Sequence, residues 1–342
     1  MGEYVCFGEI MLRLKTPGAE RFMQSPIMEA TFGGGEANVA VSLANFGLDA
    51  SYVTALPDND LGAACVRELR GFGVNTHHVR RAPGRMGIYF LEAGANQRAS
   101  KVVYDRADSS IALATRDMFD WESILSGVKW LHITGITPAI SLSAASICED
   151  AASAAKKLGV TFSCDLNFRK NLWKYGVSAS EYMPKLMEYV DVCIANEEDF
   201  QKSLGIESEW AVTGGEICLA HVRDLLERVM KKYPNVKLIG MTLRESKNAD
   251  HNDWSACLYD GNELYVSKKY EIFDIVDRVG GGDSFAAGLI YACNNYADKQ
   301  SMVEFAAAAS CLKHSISGDF NRVTVKEVEQ LMGGDGSGRI SR

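Results

Sequence analysis

Short, unbroken apolar runs alternate along the chain with longer stretches in which apolar positions recur every three to four residues. The runs at 4–8, 51–55, 130–135, 160–165, 192–196 and 237–242 have the length and continuity of strands buried on both faces. Residues 37–46, 62–72, 143–158, 181–189 and 216–233 show the helical period, and Gly47 and Gly159 stand where helices end on a left-handed residue. Strand and helix in repetition predict βαβ units, a mostly parallel sheet and right-handed crossovers. Runs at 10–14, 88–92 and 101–106 break this rhythm, because no helix separates them. In the last, the two-residue period sends Val102, Tyr104 and Arg106 to one face, and Gly94-Ala95-Asn96 suits a hairpin before it. These pieces predict a small β flap, drawn from about 10–32 and 86–108, on a single α/β domain covering 1–332. The glycine-rich stretch from Gly333 to Gly338 reads as the start of a flexible tail over 333–342.

Composition changes little in this picture. With 342 residues, 47% hydrophobic and 23% charged, the chain is long enough for a large core and too apolar for general disorder. Apolar stretches such as 304–310 fall far short of the ~20 residues that span a bilayer. The first residues carry no basic, apolar leader, so a cytoplasmic location with no membrane partner is expected. Nine cysteines lie scattered with no C-x-x-C pair, which suits buried apolar positions better than zinc or disulfides. A net charge of −8 argues against nucleic-acid partners, and means that cations for any anionic ligand must be gathered locally.

Candidate chemistry sits where open α/β sheets place it, beyond the carboxyl ends of the strands. The predicted strand ends run into Asp165-Leu166-Asn167-Phe168-Arg169, Asn196-Glu197-Glu198-Asp199 and Thr242-Leu243-Arg244. Helix caps account for Asp165 or Asn196 singly, but not for two arginines at one mouth. The strongest local signal is Asp277-Arg278-Val279-Gly280-Gly281-Gly282-Asp283, in which three glycines open a helical pattern. Amides converging at a helix start bind phosphate oxygens, and Asp283 in the first turn is placed to take a hydroxyl proton. No Lys-Ser or Lys-Thr follows, so this is not a Walker A loop. A second cluster, Gly33-Gly34-Gly35-Glu36-Ala37-Asn38, precedes the first helix and lets a ligand approach the backbone. The dinucleotide fingerprint is missing after the first strand, which counts against a dehydrogenase.

Together, the two glycine motifs resemble the paired signatures of the ribokinase-like (PfkB) carbohydrate kinases, across nearly the whole chain. Asn196-Glu197-Glu198-Asp199 resembles the family's N-x-x-E motif, with Asp in its last place. That resemblance implies a three-layer α/β/α fold with a β lid, ATP and Mg2+ as cosubstrate and ion, and a homo-oligomer through the lid. Tyr104-Asp105-Arg106, Asp165 to Arg169 and Gly318-Asp319-Phe320-Asn321 look most like members acting on 2-keto-3-deoxygluconate, phosphorylated at its terminal (6-) hydroxyl. By resemblance, Gly33, Gly34, Asn38, Tyr89, Tyr104, Arg106 and Arg169 would surround the sugar acid. Gly280, Gly281 and Gly282 would form the anion hole, with Asp283 as base. Asn196, Thr242, Arg244, Gly280 and Gly282 would face the nucleotide, and Asp199 would stand nearest its magnesium. Two arginines suit a carboxylate better than a neutral sugar, because the guanidinium fork matches its planar oxygens. The family's threonine-rich stretch is Arg278-Val279 here, which leaves its monovalent-cation site open. Alternatives are a fructokinase or another sugar kinase of this family, or a non-catalytic sugar-binding regulator on the same fold.

Overall fold

The computed structural model describes residues 3–207 and 218–336. Fourteen strands occur among them, numbered in chain order: β1 Tyr4–Phe7, β2 Met11–Lys15, β3 Glu29–Gly33, β4 Ala50–Leu56, β5 Val79–Arg81, β6 Ile88–Glu92, β7 Lys101–Asp105, β8 Trp130–Thr134, β9 Thr161–Asp165, β10 Val192–Ala195, β11 Leu238–Ser246, β12 Asn252–Tyr259, β13 Leu264–Val266 and β14 Tyr270–Ile272. The main sheet runs β13-β12-β11-β10-β9-β8-β1-β4-β5, with β14 also paired to β12. It is parallel from β5 to β11 and antiparallel beyond.

Strand β1 shows why its apolar run is unbroken. Val5 and Phe7 join one core cluster while Tyr4 and Cys6 join another, so successive side chains feed cores on opposite faces of the sheet. Helices Leu142–Leu158 and Ala179–Met187 cover the first face, and helices Gly35–Asn45, Gly281–Asn295 and Lys299–Lys313 cover the second. The result is three layers. All nine cysteines are free thiols; Cys6, Cys65, Cys148, Cys164, Cys193 and Cys257 are buried as apolar filler, Cys293 and Cys311 are half-buried, and Cys218 is exposed.

A separate four-stranded sheet, β3-β2-β6-β7, carries the pieces that broke the rhythm. Its outer strand β7 is exposed along its length, whereas alternate residues of β2 are buried. The tip between β6 and β7 touches the main body. The Ala249 amide donates to the Asn96 carbonyl at 2.8 Å, and the Asn96 amide donates to Asp250 Oδ2 at 2.6 Å.

One expectation changes. Gly333, Gly334 and Asp335 donate backbone hydrogen bonds into the last turn of helix Val325–Met332, so the tail does not begin at Gly333. The remainder of that tail, from 337, lies outside the described residues, as does the expected start of a helix at 216–217; its described part is Leu219–Lys232.

Candidate active site

A cleft of about 760 Å³ opens between the carboxyl edge of the main sheet and the flap. Its floor is the start of helix Gly281–Asn295. Gly280 has a φ of +85°, and a Cβ there would lie 2.3 Å from the Asp319 carbonyl oxygen, so the turn into the helix requires glycine. A Cβ on Gly282 would meet nothing within 4 Å. Among the described residues, the amides of Gly282 and Asp283 have no acceptor, while the Gly281 amide makes a long contact of 3.4 Å to the Arg278 carbonyl. Two open amides at a helix N-terminus beside free space are what a phosphoryl group needs.

Asp283 faces this space. Burial pushes its carboxyl up to about 6, against the hydrogen bond from Asn38 Nδ2 to Oδ2 at 2.7 Å, with Asp319 adding to the rise. Asn38 is itself fixed, because its Oδ1 accepts the Gly34 amide at 3.2 Å. Gly34 must be glycine, since a Cβ would sit 2.1 Å from the Glu9 carbonyl oxygen. Thus both glycine motifs, some 245 residues apart, meet at one carboxylate. Asp165 lies at the end of β9 behind it, and burial together with the charges of Asp199 and Asp283 raises its pKa strongly.

Tyr89, Tyr104, Arg106 and Arg169 all line the same cleft. Tyr89 and Tyr104 are cross-strand partners with ring centroids 6.1 Å apart, and the Arg106 guanidinium lies 5.6 Å from the Tyr104 centroid. Arg169 is exposed into the cleft, held by one hydrogen bond of 2.9 Å to the Phe168 carbonyl. Thr242, midway along β11, and Arg244, two residues further on, line the other wall, where desolvation and the like charges of Arg278 and Arg169 pull Arg244 below the usual arginine range.

Several expected roles need correction. Arg106 is not a free fork: its Nη2 is ion-paired to Glu9, both side chains being nearly buried, and its Nε is buried without a partner. Gly33 does not line the cleft but packs against Asp319, 2.1 Å from where its Cβ would be. Asn196 and Asp199 cap helix Glu197–Leu204 for each other, and the second Asp199 oxygen accepts the Phe168 amide at 2.8 Å. With each oxygen accepting one backbone amide, Asp199 caps the helix and lines the cleft. Among the described residues no group of three or more His, Cys, Asp or Glu side chains could hold a metal ion.

Sequence reasoning missed the network beneath the cleft. Arg13, 1% exposed, pairs with both Asp277 and Asp319, and the Tyr89 hydroxyl donates to the same Asp319 oxygen that Arg13 grips. Although burial opposes charging, Tyr89 and the carboxylates of Asp319 and Asp277 hold Arg13 above the ordinary arginine range. The signal was present: Arg13 sits at an inward position of the alternating strand β2. An arginine there demands buried acids. Glu36 was also overlooked. Its Oε1 accepts from the Thr134 amide, the Thr134 hydroxyl and the Thr137 hydroxyl at 2.7–2.9 Å, locking helix Gly35–Asn45 to the end of β8.

Comparison with known proteins agrees with this geometry. Residues 1–322 match the family described as pfkB family carbohydrate kinase. The chain is 29% identical, over 98% of both lengths, to a 2-dehydro-3-deoxygalactonokinase of Haloferax volcanii. It is 28% identical to a 2-dehydro-3-deoxygluconokinase of Thermoproteus tenax, covering 96% of this chain and 93% of that one. The solved structure of a 2-dehydro-3-deoxygluconokinase from Thermotoga maritima is 50% identical, with a TM-score of 0.92 over 98% of this chain and all of the other. A carboxylate pinned between two glycine motifs in a ribokinase-like three-layer fold therefore has its counterpart in sequence: the chain belongs to the pfkB family of carbohydrate kinases.

Proposed function

We propose that this protein transfers the γ-phosphoryl group of ATP to the 6-hydroxyl of 2-keto-3-deoxygluconate, giving 2-keto-3-deoxy-6-phosphogluconate. The observation that carries the reading is the placement of Asp283: beside two unpartnered amides, hydrogen-bonded to Asn38, and across one cleft from Arg169, Arg106 and two tyrosines. Similarity to kinases of 2-keto-3-deoxy sugar acids supports the substrate. Arg169 receives the carboxylate, with the Arg106 guanidinium on the same cleft wall, which sets the far hydroxyl at Asp283. Asp283 accepts the hydroxyl proton as that oxygen attacks the γ-phosphorus, and the amides of Gly282 and Asp283 donate to the transferring oxygens. Arg244 and Thr242 face the nucleotide. Magnesium enters as part of the nucleotide substrate, held by phosphate oxygens and water, which suits a cleft without a cluster of metal-binding side chains. The exposure of Val102 and Val103 on β7, 41% and 52%, supports self-association through the flap sheet.

An ADP-release assay with 2-keto-3-deoxygluconate, its C4 epimer 2-keto-3-deoxygalactonate and fructose tests the reading. Turnover of the two acids with little on fructose is expected; preference for fructose overturns it. The Haloferax relative favours including the epimer, since one hydroxyl is worth only as much discrimination as the hydrogen bonds built for it.

A further inference from the structure

Lys313 ends helix Lys299–Lys313, and none of its surface is exposed. Its Nζ donates to the Ile316 carbonyl at 3.0 Å. Its Cε lies 3.3 Å from the point where a side chain on Gly280 would begin, directly behind the first glycine of the anion cradle. A buried ammonium is costly unless countered. Burial does lower its pKa, while the carboxylates of Asp277, Asp319 and Asp283 favour its charge and Arg13 opposes it.

The surrounding connections are specific. Asp277 accepts the Val279 amide at 3.1 Å and the Gly318 amide at 3.2 Å, so it ties the turn before Gly280 to the turn after Lys313. Two buried acids, Asp277 and Asp319, face two buried cations, Arg13 and Lys313. Arg13 arrives from the flap strand β2 and Lys313 from the body. Without Lys313, this balanced set would carry an uncompensated negative charge immediately behind the place where phosphate must bind.

We propose that Lys313 is a positioning residue: an internal cation, clamped between the 277–280 and 316–319 turns, that holds the cradle amides open and frees turnover from any dissociable monovalent cation. The proposal rests on the reading of Asp283 as base, and its test separates the two. Turnover of the wild-type protein in a buffer whose only cations besides magnesium are bulky tetraalkylammonium ions should equal that in potassium. Wild-type turnover in potassium alone supports the kinase reading. A loss of tenfold or more without potassium, restored on adding it, overturns the Lys313 proposal and leaves that reading intact.

Lys313→Ala supplies the second arm. We expect kcat to fall roughly 100-fold, the cost of a misplaced catalytic geometry, with partial restoration by potassium or ammonium and none by tetramethylammonium. The acid limb of the kcat profile should rise by about one pH unit, because a lost cation near a carboxylate raises its pKa. The other groups acting on Asp283 are Asn38, Asp319, Arg169 and Asp165, and they remain in this variant. A folded variant with near-wild-type kcat and an unmoved acid limb, or one that no small cation restores, overturns the assignment. If the variant fails to fold, the wild-type cation series decides.

Discussion

The cradle and the flap side of the cleft reach their chemistry by different means. The cradle is contiguous: Gly280 to Asp283 supply a turn, two open amides and a carboxylate within four residues. The flap side is assembled from pairs that are distant in sequence, Arg106 with Glu9, Arg13 with Asp277 and Asp319, and Tyr89 with Asp319. Backbone donors at a helix end need only local geometry. Side-chain ions near a core need partners, and those partners are brought by the fold.

The largest expected effect tests the cradle. Asp283→Asn keeps the shape and the bond from Asn38 in reach but removes the base, so kcat should fall by about 10²–10⁴-fold. Isothermal titration should still show nucleotide binding, and near-wild-type turnover would refute the role. Next comes the flap network. Arg13→Met strands two buried carboxylates and should cost about 3–5 kcal/mol of stability, read by denaturant unfolding. Arg169→Ala, exposed and bound to one carbonyl, should leave that stability unchanged. It should instead raise KM for the sugar acid roughly tenfold while leaving the KM for ATP near wild type. Equal losses of stability in both variants would erase the distinction between the two sides.

Asp283 also makes a pH prediction. A base must be deprotonated, and its pKa is raised to about 6, so kcat should be full above that pH and fall as pH drops through about 6. An acid limb near 4, the ordinary carboxylate range, would mean that the cleft does not desolvate this group. The smallest effect belongs to the flap tip. Asp250→Ala removes the acceptor for the Asn96 amide and should raise KM for the sugar severalfold, with more hydrolysis of ATP in the absence of sugar. Unchanged values would show that this contact does not help closure.

The two sides also differ in how far they were legible. The fold was readable because strands such as β1 and β10 are apolar at every position, which only a sheet covered on both faces allows. The short antiparallel edge strands β13 and β14 were missed, since three-residue strands carry too little periodicity to stand out. At the site, Asn38 and Asp283 were found through their glycine neighbours. Arg106 was found but its partner was not, because Glu9 lies 97 residues away on the connection between β1 and β2. The capping role of Asp199 was not legible, because a carboxylate three residues into a helix looks alike whether it caps the backbone or holds a cation.

What the chain dictated alone were the features carried by neighbours: the layer order, the open amides of Gly282 and Asp283, and the tight turn at Gly280. Only the folded structure decided which charges cancel. Whether Arg106 is free or paired, and which acids share the buried Arg13 and Lys313, depends on through-space distances of a few ångströms between segments up to about 300 residues apart. Charge interactions fall off with separation in space and are blind to separation along the chain, so no local pattern could encode them.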